Sequence, residues 1–344
     1  MNTLSRILNI LRSLVPGPGL FLLLIAPVTG AVLSGLTPPS HLFNLLTLFS
    51  LCVVYGGGAI ICREFMLYWG KGWPTLLMLG AAFGVVDEGL LNKSFFDPHW
   101  LYLGPLATYG RWDGVNWVWA VQQTVFHAVF SIALPVLLVG LLFPKRRQQR
   151  WVGPRGLLIL LVLFALALVL GFFFGSSYHP PLLLYGAALL VTIILIAVAR
   201  FMPRTIRLTK RTDAAPPLRF GILGLLGTAT FFLVNLLLPT TLAPFWIAIP
   251  LDLLVALVVG ILLIVMSGNG TGWTDRQRVW LAGGALAFFI ILAPFTEIFQ
   301  RQRNPGGITF VALITLGLLY LLMRRIERRE KKAVTSQGQA AQVI

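Results

Sequence analysis

"GLLILLVLFALALVLGFFF", residues 156–174, contains no charged or hydrogen-bonding side chain. A helix of this length matches the ~30 Å hydrocarbon core of a bilayer, which takes about 20 apolar residues to cross. Working outward, comparable runs lie at 20–36, 42–62, 74–92, 117–142, 181–201, 220–238, 243–266, 279–298 and 307–323. The expected fold is therefore all-α, a polytopic transmembrane bundle of about ten helices. Composition agrees: 57% of the residues are hydrophobic, 11% are charged and the mean hydropathy is +0.86, outside the range of soluble domains.

The formal net charge is +16, which raises the question of nucleic acid. The basic residues are not interleaved with stacking aromatics on one face, as such a site needs, so no nucleic-acid partner is expected. They lie in alternate connections instead: "KRRQQR" (145–150), "RFMPRTIRLTKR" (200–211), "DRQR" (275–278) and "RRIERREKK" (324–332). The intervening loops "TPPSH", "SSYHPP" and "PTTLAP" have no Lys or Arg. The positive-inside rule then predicts a multi-pass protein of the cytoplasmic membrane with both termini cytoplasmic and the lipid bilayer as its constant partner. Lys93, Arg111, Arg301 and Arg303 fall on the wrong side of this scheme.

Residues 1–18 place Leu4, Ile7, Leu8, Leu11 and Val15 at helical spacing beside Arg6 and Arg12, the pattern of an interfacial amphipathic helix. A cleaved leader is the rival reading of this segment. Residues 19–200 form a first membrane bundle, 201–219 a basic linker containing "AAPPL", 220–324 a second bundle, and 325–344 a charged, then disordered, tail. No internal repeat is visible, which removes the usual symmetry signal of secondary transporters. Cys52 and Cys62 stand about 15 Å apart along one helix and cannot bridge each other. There is no phosphate loop, HExxH or CxxC motif. The segment 92–116 is rich in Phe, Trp, Tyr and Gly and reads either as an interfacial aromatic belt or as a lid over a cavity.

Ionisable residues within a membrane helix cost a few kcal/mol each on insertion scales, so every one calls for a partner or a role. In the third apolar run Gly80, Gly84, Glu88 and Asn92 are four apart, a small-residue groove that ends in a carboxylate and an amide. Asp87 should point about 100° away, toward the headgroups. In the fourth run Asn116, Gln123, His127, Ser131 and Pro135 share one stripe, which must face protein or water. Asp252 lies at a depth similar to His127 and is a candidate partner for it. Glu297, after Pro294, reads as the cap of a kinked helix end beside Arg301 or Arg303, and Arg63–Glu64 as an ordinary helix terminus. A carboxylate and an imidazole on neighbouring helices could activate water, with or without a divalent metal, or relay protons.

"GVVDEGLLNKSFF" (84–96) followed by "QQTVFHAVFS" (122–131) resembles the signature of the CAAX-protease and bacteriocin-processing group of intramembrane proteases. In that group an acidic pair followed by an arginine, a histidine about one helix later and a second histidine form the site. The resemblance, confined to about residues 84–131, implies that Glu88 activates water and that His127 holds a metal ion or the developing oxyanion. Asp87, Asn92, Gln123 and Ser131 would surround them. The sequence departs from the pattern at Asp87 in place of the first Glu, at Asn92 in the arginine position with Lys93 one place late, and at Gln123 in place of a Phe. His179, in a loop, is the residue offered for the second histidine, ahead of His41 and His99. Two other classes stand beside a hydrolase: a transporter or channel with a proton path through Glu88, His127 and Asp252, and a scaffold whose polar residues only fix packing.

Overall fold

The computed structural model describes residues 17–210, 213–241, 243–270, 272–299 and 306–341, with side chains as far as residue 332. The amphipathic pattern of residues 1–16 lies outside the described residues. Ten helices run α1 (Pro18–Val32), α2 (Leu45–Tyr68), α3 (Trp73–Leu91), α4 (Trp117–Leu142), α5 (Pro154–Gly175), α6 (Leu182–Phe201), α7 (Pro217–Thr240), α8 (Phe245–Met266), α9 (Asp275–Phe299) and α10 (Ile308–Ala341). All but α1 are long and apolar enough to cross a membrane. The chain is thus a polytopic helical membrane protein.

Local chemistry sets the helix starts. Asn44 Oδ1 accepts from the Leu46 and Thr47 N–H groups at the start of α2, and Asn116 Oδ1 accepts from Trp119 N–H at the start of α4. Proline occupies the opening turn of α1, α3, α5 and α7, where its missing N–H costs nothing. α10 continues as helix through the segment that reads from the sequence as a loose tail. Its first half is a membrane span, and helix once nucleated propagates readily into the Arg-, Glu- and Lys-rich continuation, all good helix formers.

α4 is the hub. It packs against α1, α2, α3, α8 and α9. One apolar core joins Leu22, Tyr55, Leu76, Phe83, Ile132 and Leu160 from α1 to α5. A second joins Phe126, Phe130 and Leu137 of α4 to Leu286, Phe289, Ile308 and Ile326 of α9 and α10. The linker at 201–219 therefore does not separate two independent cores. Since lipid is as apolar as leucine, close packing must hold these helices together, and small residues permit it. At the α7–α9 crossing a methyl on Gly224 would stand 2.7 Å from Ala285 N, so only glycine lets the two backbones meet there.

Arg63 and Glu64 correct their sequence reading. Both lie inside α2 and are buried, not at its end. Arg63 stacks on Trp151 at 3.4 Å, donates to the Arg147 and Gln149 carbonyls at 2.9 and 2.8 Å, and pairs with Glu64 at 2.6 Å. Glu64 accepts from Trp151 N–H at 2.9 Å. The pair bolts the connection between α4 and α5 to the bundle.

Candidate functional site

Gly80 and Gly84 line the face of α3 that meets α4. A methyl at Gly80 would come within 2.8 Å of Ala128 Cα, and one at Gly84 within 3.1 Å of His127 Cβ. The two backbones touch, and one turn further on Glu88 reaches His127. At this level the helices also change winding. Val85–Leu91 of α3 and His127–Ala133 of α4 are π-helical, as are Val28–Val32 of α1 and Cys52–Gly57 of α2. Such wide turns inside α-helices recur at functional sites. The i→i−5 bond from Asn92 N–H to the Asp87 carbonyl, 2.8 Å, belongs to one of them.

The wide turn overturns the expectation for Asp87. α-Helical spacing would send it toward the headgroups, but Asp87 is 1% exposed and its Oδ2 lies 3.7 Å from His127 Nδ1. Under-winding swings both neighbouring carboxylates toward the same imidazole. Glu88 Oε1 is 3.3 Å from His127 Nε2. One ligand-capable atom from each of Asp87, Glu88 and His127 lies within 4.8 Å of the others, the one such group among the described residues.

A chain of hydrogen bonds holds the pair. Trp119 Nε1–H donates to Ser94 Oγ at 2.9 Å, and the Ser94 hydroxyl donates to Glu88 Oε2. Ser131 Oγ is 2.8 Å from His127 Nδ1. Assigning the imidazole proton to Nε2 gives every group a partner of the opposite kind: Ser131 donates to Nδ1, and Nε2–H donates to Glu88. Asn92 donates to Asp87 Oδ1 at 3.3 Å, whereas the buried Asp87 Oδ2 has no hydrogen-bond partner among the described residues. Tyr55 of α2 stands against the His127 ring, their centroids 6.0 Å apart.

Asp87, Glu88, Asn92 and Tyr55 line a cavity of ≈ 300 Å³. Trp100 and Tyr102 line it too, as do Thr47 and Ser50 of α2, Ser50 being exposed. The segment 93–116 is a folded cover with its own short hairpin, β1 (Arg111–Trp112) paired with β2 (Val115–Asn116). Phe95, Phe96, Leu103 and Leu106 are buried beneath it with Trp119. Arg111 ties its strands down through the carbonyls of Phe96 and Asp97 at 2.8 and 3.2 Å. Lys93 opens the cover with φ 58, uncommon for a residue with a side chain. Its buried ammonium donates to the Phe172 and Ser176 carbonyls at 2.9 and 3.0 Å. Burial pushes that ammonium below the ordinary lysine range, while Asp97 acts in the opposite direction.

The other sequence candidates do not join this cluster. Asp252 is not the partner of His127: it accepts from Asn235 Nδ2 at 2.8 Å, because its side chain points to α7 and not to the acidic pair. Glu297 caps the start of α10, accepting from Gly307 and Thr309 N–H at 3.1 and 3.0 Å. Arg301 and Arg303, its expected partners, lie outside the described residues. His179 is exposed and held by the Ser177 carbonyl, 2.9 Å from Nδ1, and among the described residues His127 is the one imidazole in the cluster. Gln123 is buried, with its Oε1 unpartnered. Tyr55, Ser94 and Trp119 also belong to the site and carry no sequence signal for it. Ser94, six residues after Glu88, carries no spacing signal of its own, because it returns to Glu88 only through the turn at Lys93.

No curated protein and no solved structure matches this chain. A family model, described as an uncharacterized membrane protein family, matches residues 20–343, and the chain belongs to that family.

Proposed function

We propose that the chain is a membrane-embedded hydrolase whose centre is the Asp87–Glu88–His127 cluster. One observation carries the reading: the Asp87 and Glu88 carboxylates line a cavity inside the membrane domain, and the buried His127 imidazole stands 3.3 Å behind Glu88 Oε1. Glu88 is the general base. Its Oε2 is anchored by Ser94, so Oε1 is the atom left to take a proton from water as the water oxygen attacks the substrate carbonyl. His127 Nε2–H faces the same atom, where it donates to the developing negative charge, and the protonated Glu88 then passes the proton it took from water to the leaving group. Two carboxylates and an imidazole, with Asp87 Oδ2 lacking a partner, also fit a divalent ion of the zinc class. Asp87, Glu88 and His127 would hold such an ion, which supplies Lewis acidity when bound.

The likeness of residues 84–131 to the CAAX-protease and bacteriocin-processing group supports a peptide or related acyl bond as the one cleaved. The exposed Ser50 shares α2 with Leu46 and Phe49, which are exposed and apolar, so an amphiphilic substrate can enter sideways from the bilayer. The charge bias of the connections supports both termini being cytoplasmic and the covered site lying toward the outer leaflet.

The test compares membranes of cells producing the wild-type chain or Glu88→Gln at equal abundance, with peptides and lipids read by mass spectrometry. Cleavage products present with the wild type and missing with Glu88→Gln are expected. Identical product sets would sink the proposal.

A further inference from the structure

We infer that Asn235, Asp252 and Gln122, on α7, α8 and α4, form a binding site for a small monovalent cation of the sodium class. The first observation is a surplus of acceptors. Among the described residues Asp252 Oδ2, Asn235 Oδ1 and Gln122 Oε1 are all buried with no hydrogen-bond partner, in residues 0%, 5% and 6% exposed. An unsatisfied polar atom in hydrocarbon surroundings costs several kcal/mol, so three together call for a shared positive group. Among the described residues Asp252 has no cationic partner, its bond from Asn235 Nδ2 being to the other oxygen.

The second observation is register. Trp119 of α4 shares a buried cluster with Ala248 of α8, and Phe126 of α4 lies 6.0 Å from Phe232 of α7. The first half of α4 packs on α8, and Gln122 falls between Trp119 and Phe126 on α4. Asp252 falls one turn beyond Ala248, and Asn235 about one turn beyond Phe232, so the three helices bring these side chains to one level. The third is the backbone. The α-helical part of α7 ends at Leu237, and Pro239 has no N–H to return to the Asn235 carbonyl. Helix C-termini carry partial negative charge, and freed carbonyls at such ends are a recurrent source of sodium ligands in membrane proteins. One carboxylate with neutral oxygens gives a site of net charge −1, which a monovalent ion neutralises and a divalent ion would overcharge.

The site includes neither Glu88 nor His127 and can be tested without a substrate. Purified chain in detergent is unfolded thermally in sodium chloride or choline chloride at equal ionic strength, and bound ²²Na⁺ is counted. We expect a saturable rise in midpoint with sodium and about one ion per chain, both lost in Asp252→Asn and weakened in Asn235→Leu, and both retained in Glu88→Gln. Equal midpoints in the two salts with no bound sodium would overturn the inference. So would a sodium effect that Glu88→Gln removes and Asp252→Asn does not, or stabilisation by low pH alone, which would make Asp252 a protonated acid. If either variant at the site fails to fold, the wild-type count against the Glu88→Gln count still decides.

Discussion

Glu88 has two oxygens under different constraints, and its neighbours can be separated on that basis. Oε2 is held by Ser94, itself held by Trp119, while Oε1 faces His127. Glu88→Gln keeps the size and loses the base, so turnover should fall about 10²–10⁴-fold, the range of general acid–base contributions, with little change in thermal midpoint. Ser94→Ala should act differently. It strands the Trp119 indole and one Glu88 oxygen in the interior, costing about 1–3 kcal/mol of stability as well as activity, which chemical unfolding and a rate measurement together would reveal. At this scale the sequence was informative where charge alone suffices. Glu88 and His127 stand out because ionisable groups in apolar helices need partners. The direction of Asp87 is not legible, because 100° per residue presumes α winding, which a π turn breaks. Residue counting puts Asp252 and His127 at one depth, and depth carries no direction.

The paired glycines of α3 are the element-scale device that brings acid and imidazole together. Gly84→Val would press a branched side chain onto Thr124 Cα, 3.0 Å from where its Cβ must sit. It should destabilise the chain by about 1–3 kcal/mol and separate Glu88 from His127, abolishing turnover even in the fraction that folds. The four-residue Gly spacing was legible, because it needs only helical geometry. The Arg63 bolt was not, since its partners lie more than eighty residues away in the connection after α4. Arg63→Ala leaves Glu64 buried without its counter-charge and should cost about 3–5 kcal/mol, measured as a fall in thermal midpoint. Arg63→Lys should recover little, because an ammonium cannot both stack on Trp151 and reach two carbonyls.

Across the whole molecule, apolar run length was enough to find the helices, because crossing a bilayer is a property of composition and length. The sharing of one core across residues 201–219 was not readable, since α4 meets α9 and α10 through non-local contacts that leave no periodic trace. The same holds for the cover, whose aromatics suit an interface and a lid equally. Charge bias predicts that a cysteine at His179 is labelled from outside intact cells, and one at Asp213 only after permeabilisation, in a background without Cys52 and Cys62. The reverse pattern would place the site at the inner leaflet. A changed membrane composition in Glu88→Gln cells could still reflect transport, so the decisive measurement follows the water oxygen. Membranes holding wild-type chain or Glu88→Gln are incubated in H₂¹⁸O, and newly formed carboxyl groups are examined by mass spectrometry. The account predicts one ¹⁸O in each new product carboxylate with the wild type and none above background with Glu88→Gln. Equal labelling in both, or none in either, would contradict a hydrolytic centre at Glu88 and His127.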